Sequence, residues 1–400
     1  MDTVIVGAGQ SGLALSYFLT ERGIDHLLLE RGRVAERWRS ERWDSLRFQF
    51  PNAFVKLPGY QYDGDDASAF MHRDELVAWL DAYALRINAP VRCGVCVHKI
   101  ARDDAGEWRV DTSAGDYAAR NVVVATGPYQ QPNIPAVGRR IPARVRQLPA
   151  SLYTGPSQVG EGPILVVGSG ASGGQIAEDL LLAGRDVTLA VGRYRRFPRR
   201  RAGRDIAYWL EELGTLDRTD PGDPTIPSAH LLSGIDGGQD LNLRDLQDRG
   251  LRLLGRLSDV TATRYQFADT LAHDLAVGDQ IYAYVCALVD ANINGTEAPP
   301  PVAVPPAPAQ IDAERMSLDA FATVIWATGY HTDFSWVDSP AIAADGKPRH
   351  YRGVSEDPGL SFIGLPGLYK ARSSFLWGAE EDAHYLAEHI ASAKANTSTQ

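Results

Sequence analysis

The chain has 400 residues, 44% hydrophobic and 22% charged, with a formal net charge of −10, so two or three soluble domains are expected. The acidic balance argues against a nucleic-acid partner, which wants a basic face, and no run reaches the roughly 18 apolar residues of a membrane-spanning helix. Three cysteines cannot make a disulfide framework, and a strand follows Met1 with no signal segment, so the cytoplasm is the expected compartment.

Residues 3–7 predict a short buried strand running into VIVGAGQSG, with Gly7, Gly9 and Gly12 at the turn and a helix over 12–22. A second strand at 24–30 ends on Glu30 and completes a βαβ unit. Glycines in such a turn let the backbone approach a pyrophosphate seated on the helix N-terminus. A carboxylate closing the next strand accepts hydrogen bonds from ribose hydroxyls. FAD or NAD fits this first motif.

Residues 73–88 carry helical spacing, with Leu76, Trp79, Leu80 and Tyr83 on one face. Strand-like pieces follow at 91–100, 107–112 and 121–125. Cys93 and Cys96 form CxxC within VRCGVCVHKI, but residues three apart in a strand point to opposite faces. A redox pair usually sits at a helix N-terminus, so the spacing argues against dithiol chemistry. A proline-rich connection over 128–149 leads to a second βαβ unit at 164–191.

That unit carries ILVVGSGASGGQIAEDL, with Gly168, Gly170, Ser172, Gly173 and Gln175. The position equivalent to Glu30 is Val191, and a basic run follows: Arg193, Arg195, Arg196, Arg199, Arg200, Arg201 and Arg204. Guanidinium forks match phosphate oxygens, so NADPH is expected over NADH, with Arg193 and Arg195 on its phosphate. Two dinucleotide sites in one chain suit an electron relay.

Residues 205–290 predict a mostly helical, loop-rich insertion extending to about 310. Tyr208, Trp209, Tyr265, Phe267, Tyr282 and Tyr284 are available there for pocket walls or for helix packing. APPPVAVPPAP at 298–308 predicts a surface connection, and NTSTQ a disordered end. The chain closes with TVIWATG at 323–329, a strand in LSFIGL and a helix over 380–394. The triplet ATG ends a buried strand twice, as Ala125, Thr126, Gly127 and as Ala327, Thr328, Gly329. The pairing predicts an α/β protein of two Rossmann-like domains, the second inserted into the first: 1–155 with 320–400, around 156–319. His72, His273 and His384 are isolated, and no metal-ligand set or Ser–His–Asp arrangement is present.

Together GAGQSG, ERGRVAERWRSERWDSLRFQFPN, VVVATGPYQQPNIP, GSGASGGQIAEDL, VIWATGY and GLSFIGLPGL with SSFLWGAEEDA resemble the flavin-containing monooxygenases and their bacterial relatives over nearly the whole chain. The resemblance implies FAD in the first domain, on Gly7, Gly9, Ser11, Gly12, Glu30, Arg31 and the Ala125–Gly127 turn. It implies NADPH in the second, on Gly168, Gly170, Ser172, Gly173, Gln175, Arg193, Arg195 and the Ala327–Gly329 turn. Trp38 and Arg39 match the family's pair beside the flavin nucleotide, and Val97 the position whose backbone meets adenine. Ser374 and Leu376 match the tail bordering the isoalloxazine. Gln49, where many members carry an Asn facing the flavin, is the one catalytic candidate.

By the same resemblance, NADPH reduces FAD, O2 forms a C4a-hydroperoxyflavin, and one oxygen atom passes to a small organic substrate, with amines and sulfides ahead of Baeyer–Villiger oxidation of ketones. Homodimers are common in that family. There is one departure. Gly138 and Tyr153 of the family's linker motif are recognisable, but Pro149 stands where members carry the His that couples NADPH binding to oxygenation. An NADPH oxidase or flavin reductase without substrate oxygenation is the alternative.

Overall fold

Short apolar strands buried on both faces belong in parallel, crossed-over sheets, and the chain builds two of them. The computed structural model describes residues 1–219, 231–300, 302 and 312–397. The first sheet orders its parallel strands Leu360–Phe362, Asn121–Val124, Thr3–Val6, His26–Glu30 and Val91–Cys93. Antiparallel strands His350–Tyr351 and Val354–Ser355 extend its edge. The second sheet orders Arg146–Pro149, Thr323–Trp326, Ile164–Val167, Val187–Ala190 and Arg252–Leu254, all parallel. Helices Gln10–Glu21 and Ala171–Leu182 follow the two glycine turns. The two-Rossmann architecture expected from the glycine motifs is present.

The expected boundaries at 155 and 320 cut through the second sheet, which takes Arg146–Pro149 from one side and Thr323–Trp326 from the other. Each glycine-turn strand needs a parallel neighbour on the side away from its crossover helix's return strand. Thr323–Trp326 fills that place for Ile164–Val167, as Asn121–Val124 does for Thr3–Val6. The chain therefore changes sheets between 125 and 145 and again after 326. There the two passing segments pair, Gln131–Pro132 antiparallel with Tyr330–His331.

Among the described residues the insertion carries strands as well as helices. Arg252–Leu254 enters the second sheet, while Leu257–Val260, Arg264–Ala268 and Asp312–Ser317 form an antiparallel sheet of their own. Tyr265 and Phe267 alternate along one strand and are fully buried, which makes them core rather than pocket wall. Trp209 is core as well, Tyr208 packs its ring 5.0 Å from that of Phe54, and Tyr282 lies under Arg196. The long helix is Leu271–Asn294.

VRCGVCVHKI also breaks in two. Gly94, at φ +74°, ends Val91–Cys93 in the first sheet and lets Val97–Arg102 start a three-stranded antiparallel sheet. The helix Arg73–Arg86 buries Leu76, Trp79, Leu80 and Tyr83 as its spacing predicts, and isolated His72 is its N-cap. Residues 301, 303–308 and 398–400, parts of the expected proline-rich connection and disordered end, lie outside the described residues.

Candidate functional site: two glycine turns and the cleft over the first

The three glycines of each turn do different jobs. Gly7 has φ +114°, and a Cβ on it would stand 2.7 Å from the Ala125 carbonyl oxygen. A Cβ on Gly12 would stand 2.1 Å from the Gly7 oxygen. The second turn repeats this: Gly168, at φ +104°, would meet the Ala327 oxygen at 2.5 Å, and Gly173 the Gly168 oxygen at 1.9 Å. The repeated ATG is thus the backbone against which each first glycine closes. The middle glycines differ, since a Cβ on Gly9 or Gly170 would meet nothing within 4 Å. Both are helix N-caps without a side-chain cap, so first-turn amides stay available to an anion.

A cleft of about 360 Å³ opens over the first turn. Of the expected FAD residues, Gly7, Gly9, Ser11, Glu30, Arg31, Trp38, Val97, Ala125, Thr126, Gly127 and Ser374 line it. Glu30 accepts the backbone N–H groups of Ala8 and Gly32, each at 2.9 Å. A carboxylate has about four acceptor sites, so capacity for ribose hydroxyls remains. An open phosphate cradle, a ribose acceptor and an elongated wall together fit a dinucleotide such as FAD.

Four expected residues stand elsewhere. Gly12 is a packing glycine. Arg39 turns to helix Arg73–Arg86, where it donates to Asp81, and its Nε reaches the Val34 carbonyl at 2.9 Å. Trp38 lines the cleft, whereas Arg39, one residue on, is held away from it by these two contacts. Leu376 is core. The Gln49 side chain donates to the Leu232 carbonyl at 3.3 Å.

Arg42 was not singled out by the sequence motifs, yet it lines the cleft. Its guanidinium lies 5.6 Å from the Trp38 ring and 5.5 Å from the Tyr129 ring. An arginine four residues beyond the cleft tryptophan was the available signal.

In the second domain Val191 is fully buried and supplies no carboxylate. Gly192 N–H donates to Ser169 Oγ at 3.1 Å; beyond it Arg193 is exposed, Tyr194 buried and Arg195 half-buried. Ser172 is half-buried on the first helical turn, and Thr328 and Gly329 are tied to Asn133 in the crossing ribbon. Gln175 is buried and donates to the Leu232 carbonyl at 2.7 Å, so it does not face a nucleotide.

The basic run sorts by partner. Arg196 faces Asp240 and Asp279, Arg201 pairs with Asp290, and Arg204 with Glu212. Arg200 donates to the carbonyls of Gly237 and Gly238. Among the described residues Arg193 and Arg195 have no carboxylate partner. Burial first, and then the Arg193 charge, pull the Arg195 guanidinium below its ordinary pKa. Two unpaired neighbouring cations suit an added phosphate.

Arg199 is different again, with its side chain 2% exposed and paired with Asp205 at 2.8 Å. It also donates to the Gln49 carbonyl at 2.8 Å. Removing one partner of such a pair strands a buried charge, so Arg199→Ala is expected to lower stability by about 3–5 kcal/mol, as read from urea denaturation.

Pro149 ends the edge strand of the second sheet opposite Trp326, a position where a missing N–H is tolerated. Cys93 and Cys96 are exposed free thiols, and Cys96 lines the cleft beside Val97 and Glu30, at the end suited to ribose and adenine. Among the described residues no group of His, Cys, Asp and Glu is placed to hold a metal. No helix there is long and apolar enough to cross a membrane.

Residues 4–213 match the pyridine nucleotide-disulphide oxidoreductase family. The chain belongs to that family. Along 98% of both chains it is 30% identical to an uncharacterized CzcO-like oxidoreductase of Geobacillus kaustophilus. It is 34% identical over 191 residues, 47% of each chain, to the indole-3-pyruvate monooxygenase YUCCA1 of Oryza sativa subsp. japonica. A doubly substituted flavin monooxygenase from Stenotrophomonas maltophilia superposes with a TM-score of 0.70 at 20% identity, covering 98% of both chains, which shows the shared fold. As a member of this family the protein is an oxidoreductase, and its fold is that of the solved flavin monooxygenase along nearly its whole length.

Proposed function

We propose that this protein is an FAD- and NADPH-dependent monooxygenase that delivers one atom of O2 to a small organic substrate, with nitrogen and sulfur nucleophiles ahead of ketones. The observation that carries the reading is the pair of equivalent glycine turns, one with a ribose carboxylate, Glu30, and the other with Arg193 and Arg195, which have no carboxylate partner among the described residues. When bound, FAD supplies hydride acceptance from NADPH and the activation of O2. Within this scheme the chain's own groups bind and orient. Gly9 and Gly170 leave room for the phosphates, Glu30 holds a ribose, and Arg193 with Arg195 selects the phosphorylated dinucleotide. Aromatic packing among Phe48, Phe50, Phe54, Phe375 and Trp377 keeps water from the region beside the Ser374 tail. Oxygen transfer to a soft nucleophile requires no acid–base residue.

One observation favours a second reading as an NADPH oxidase: Pro149 offers no imidazole where the family's coupling His stands. The two readings separate in the ratio of oxygenated product to H2O2 per NADPH consumed, with indole-3-pyruvate, tertiary amines, thioethers and ketones as trial substrates. A dithiol reductase is disfavoured by the place of Cys96 at the adenosine end of the cleft, with Cys93 outside its lining. Cys93→Ser and Cys96→Ser are each expected to keep NADPH turnover within about twofold of wild type. Loss of turnover in either variant, followed by NADPH absorbance, would restore the dithiol reading.

A further inference from the structure

The turn between Leu231 and Asp240 belongs to both domains at once. Leu231 packs in the core of the second sheet, with Ile176 and Ala177, whereas Leu232 packs in the first, with Phe48 and Phe50. The Leu232 carbonyl accepts Gln175 Nε2 at 2.7 Å and Gln49 Nε2 at 3.3 Å, one donor from each domain. Beyond it, buried Glu178 accepts Ser233 Oγ at 2.7 Å on one carboxylate oxygen and Gln239 Nε2 at 2.8 Å on the other. The far side of the hairpin is fitted as closely. A Cβ on Gly234 would stand 2.8 Å from the Phe48 carbonyl oxygen, and one on Gly238 2.4 Å from the Phe70 ring.

Gln175 and Glu178 both lie on Ala171–Leu182, the helix that begins at the second glycine turn. Burying a carboxylate costs several kcal/mol unless it is hydrogen-bonded, and here each of its two oxygens accepts from the same two-stranded hairpin. We propose that this hairpin is an inter-domain clasp, in which Gln175 and Glu178 are positioning residues that hold the NADPH helix in register with the segment carrying Gln49. The proposal rests on the FAD and NADPH reading but not on oxygenation. Hydride transfer depends steeply on the mutual placement of two dinucleotides, and the clasp is a direct hydrogen-bonded link between the helix on one and the segment of Gln49, whose neighbour Phe48 packs its ring 6.1 Å from that of the cleft residue Trp38.

The test uses Glu178→Ala, Glu178→Gln and Gln175→Leu in the FAD-loaded protein. It reads anaerobic bleaching of the flavin by NADPH together with amide hydrogen exchange. The clasp predicts unchanged FAD content, bleaching slowed about tenfold in Glu178→Ala and Gln175→Leu, and faster exchange at both 232–240 and 47–50. Glu178→Gln, which still accepts from Ser233, recovers at least half the wild-type rate. Faster exchange confined to the helix 171–182, with bleaching at the wild-type rate, overturns the proposal. Should Glu178→Ala fail to fold, Gln175→Leu, which deletes a donor and leaves no charge, decides alone. A wild-type protein that NADPH does not bleach refutes the cofactor reading instead, so the two failures are told apart.

Discussion

Gly12→Ala is expected to yield protein with less than about a tenth of the wild-type FAD content, while Gly173→Ala is expected to stay yellow and lose about 100-fold in kcat/KM for NADPH. The new methyl would sit 2.1 Å from a carbonyl oxygen in the first case and 1.9 Å in the second. Neither neighbour is a flexible side-chain tip. The backbone of the turn must move, and overpacking of this kind costs about 1–3 kcal/mol before any ligand binds. The same movement displaces the amides that face the phosphates, so binding suffers more than folding. Gly9→Ala and Gly170→Ala separate the two effects, because a Cβ there has open space. They should melt like wild type and still bind their dinucleotides weakly. FAD absorbance per protein and NADPH kinetics check all four variants. Equal FAD loss in Gly12→Ala and Gly173→Ala would contradict the assignment of one cofactor to each turn.

Arg193→Ala together with Arg195→Ala is expected to lower kcat/KM for NADPH about 100-fold and to leave NADH within about threefold. A charge-assisted hydrogen bond contributes about 1.5–3 kcal/mol, and tenfold in an equilibrium corresponds to about 1.4 kcal/mol. Two such contacts on a phosphate that NADH lacks give a selective loss of this size. Arg201→Ala serves as the control, since its guanidinium is engaged with Asp290. A parallel fall for both nucleotides would mean that the arginines hold the domain rather than the phosphate.

The glycine turns, Glu30 and the repeated ATG were legible in the sequence because each is a backbone requirement with few alternative residues. The first glycine must close on a neighbouring strand, and the neighbour's small-residue turn recurs with it. The paired arginines were legible by exclusion, since no acid follows Val191. What failed depends on tertiary direction. Trp38 and Arg39 are consecutive in sequence, but Arg39 is drawn to Asp81 while Trp38 and Arg42 line the cleft. Gln175 lies on the nucleotide helix, yet its amide turns to Leu232 rather than toward the glycine turn. The sheet boundary is hidden in the sequence because strands Arg146–Pro149 and Thr323–Trp326 are far apart along the chain and meet only when the second sheet closes. Tyr265 and Phe267 show the same lesson at short range. Period two and complete burial mark a strand that aromatic content alone does not distinguish from a helix.

The most direct test of the account is the fate of oxygen when the enzyme turns over NADPH under 18O2 with amines, thioethers, ketones and indole-3-pyruvate. A monooxygenase places one labelled atom in the organic product and the other in water, with product formation matching most of the NADPH consumed. NADPH oxidation that returns all of the label as H2O2, with every substrate, contradicts the account and makes the protein an oxidase.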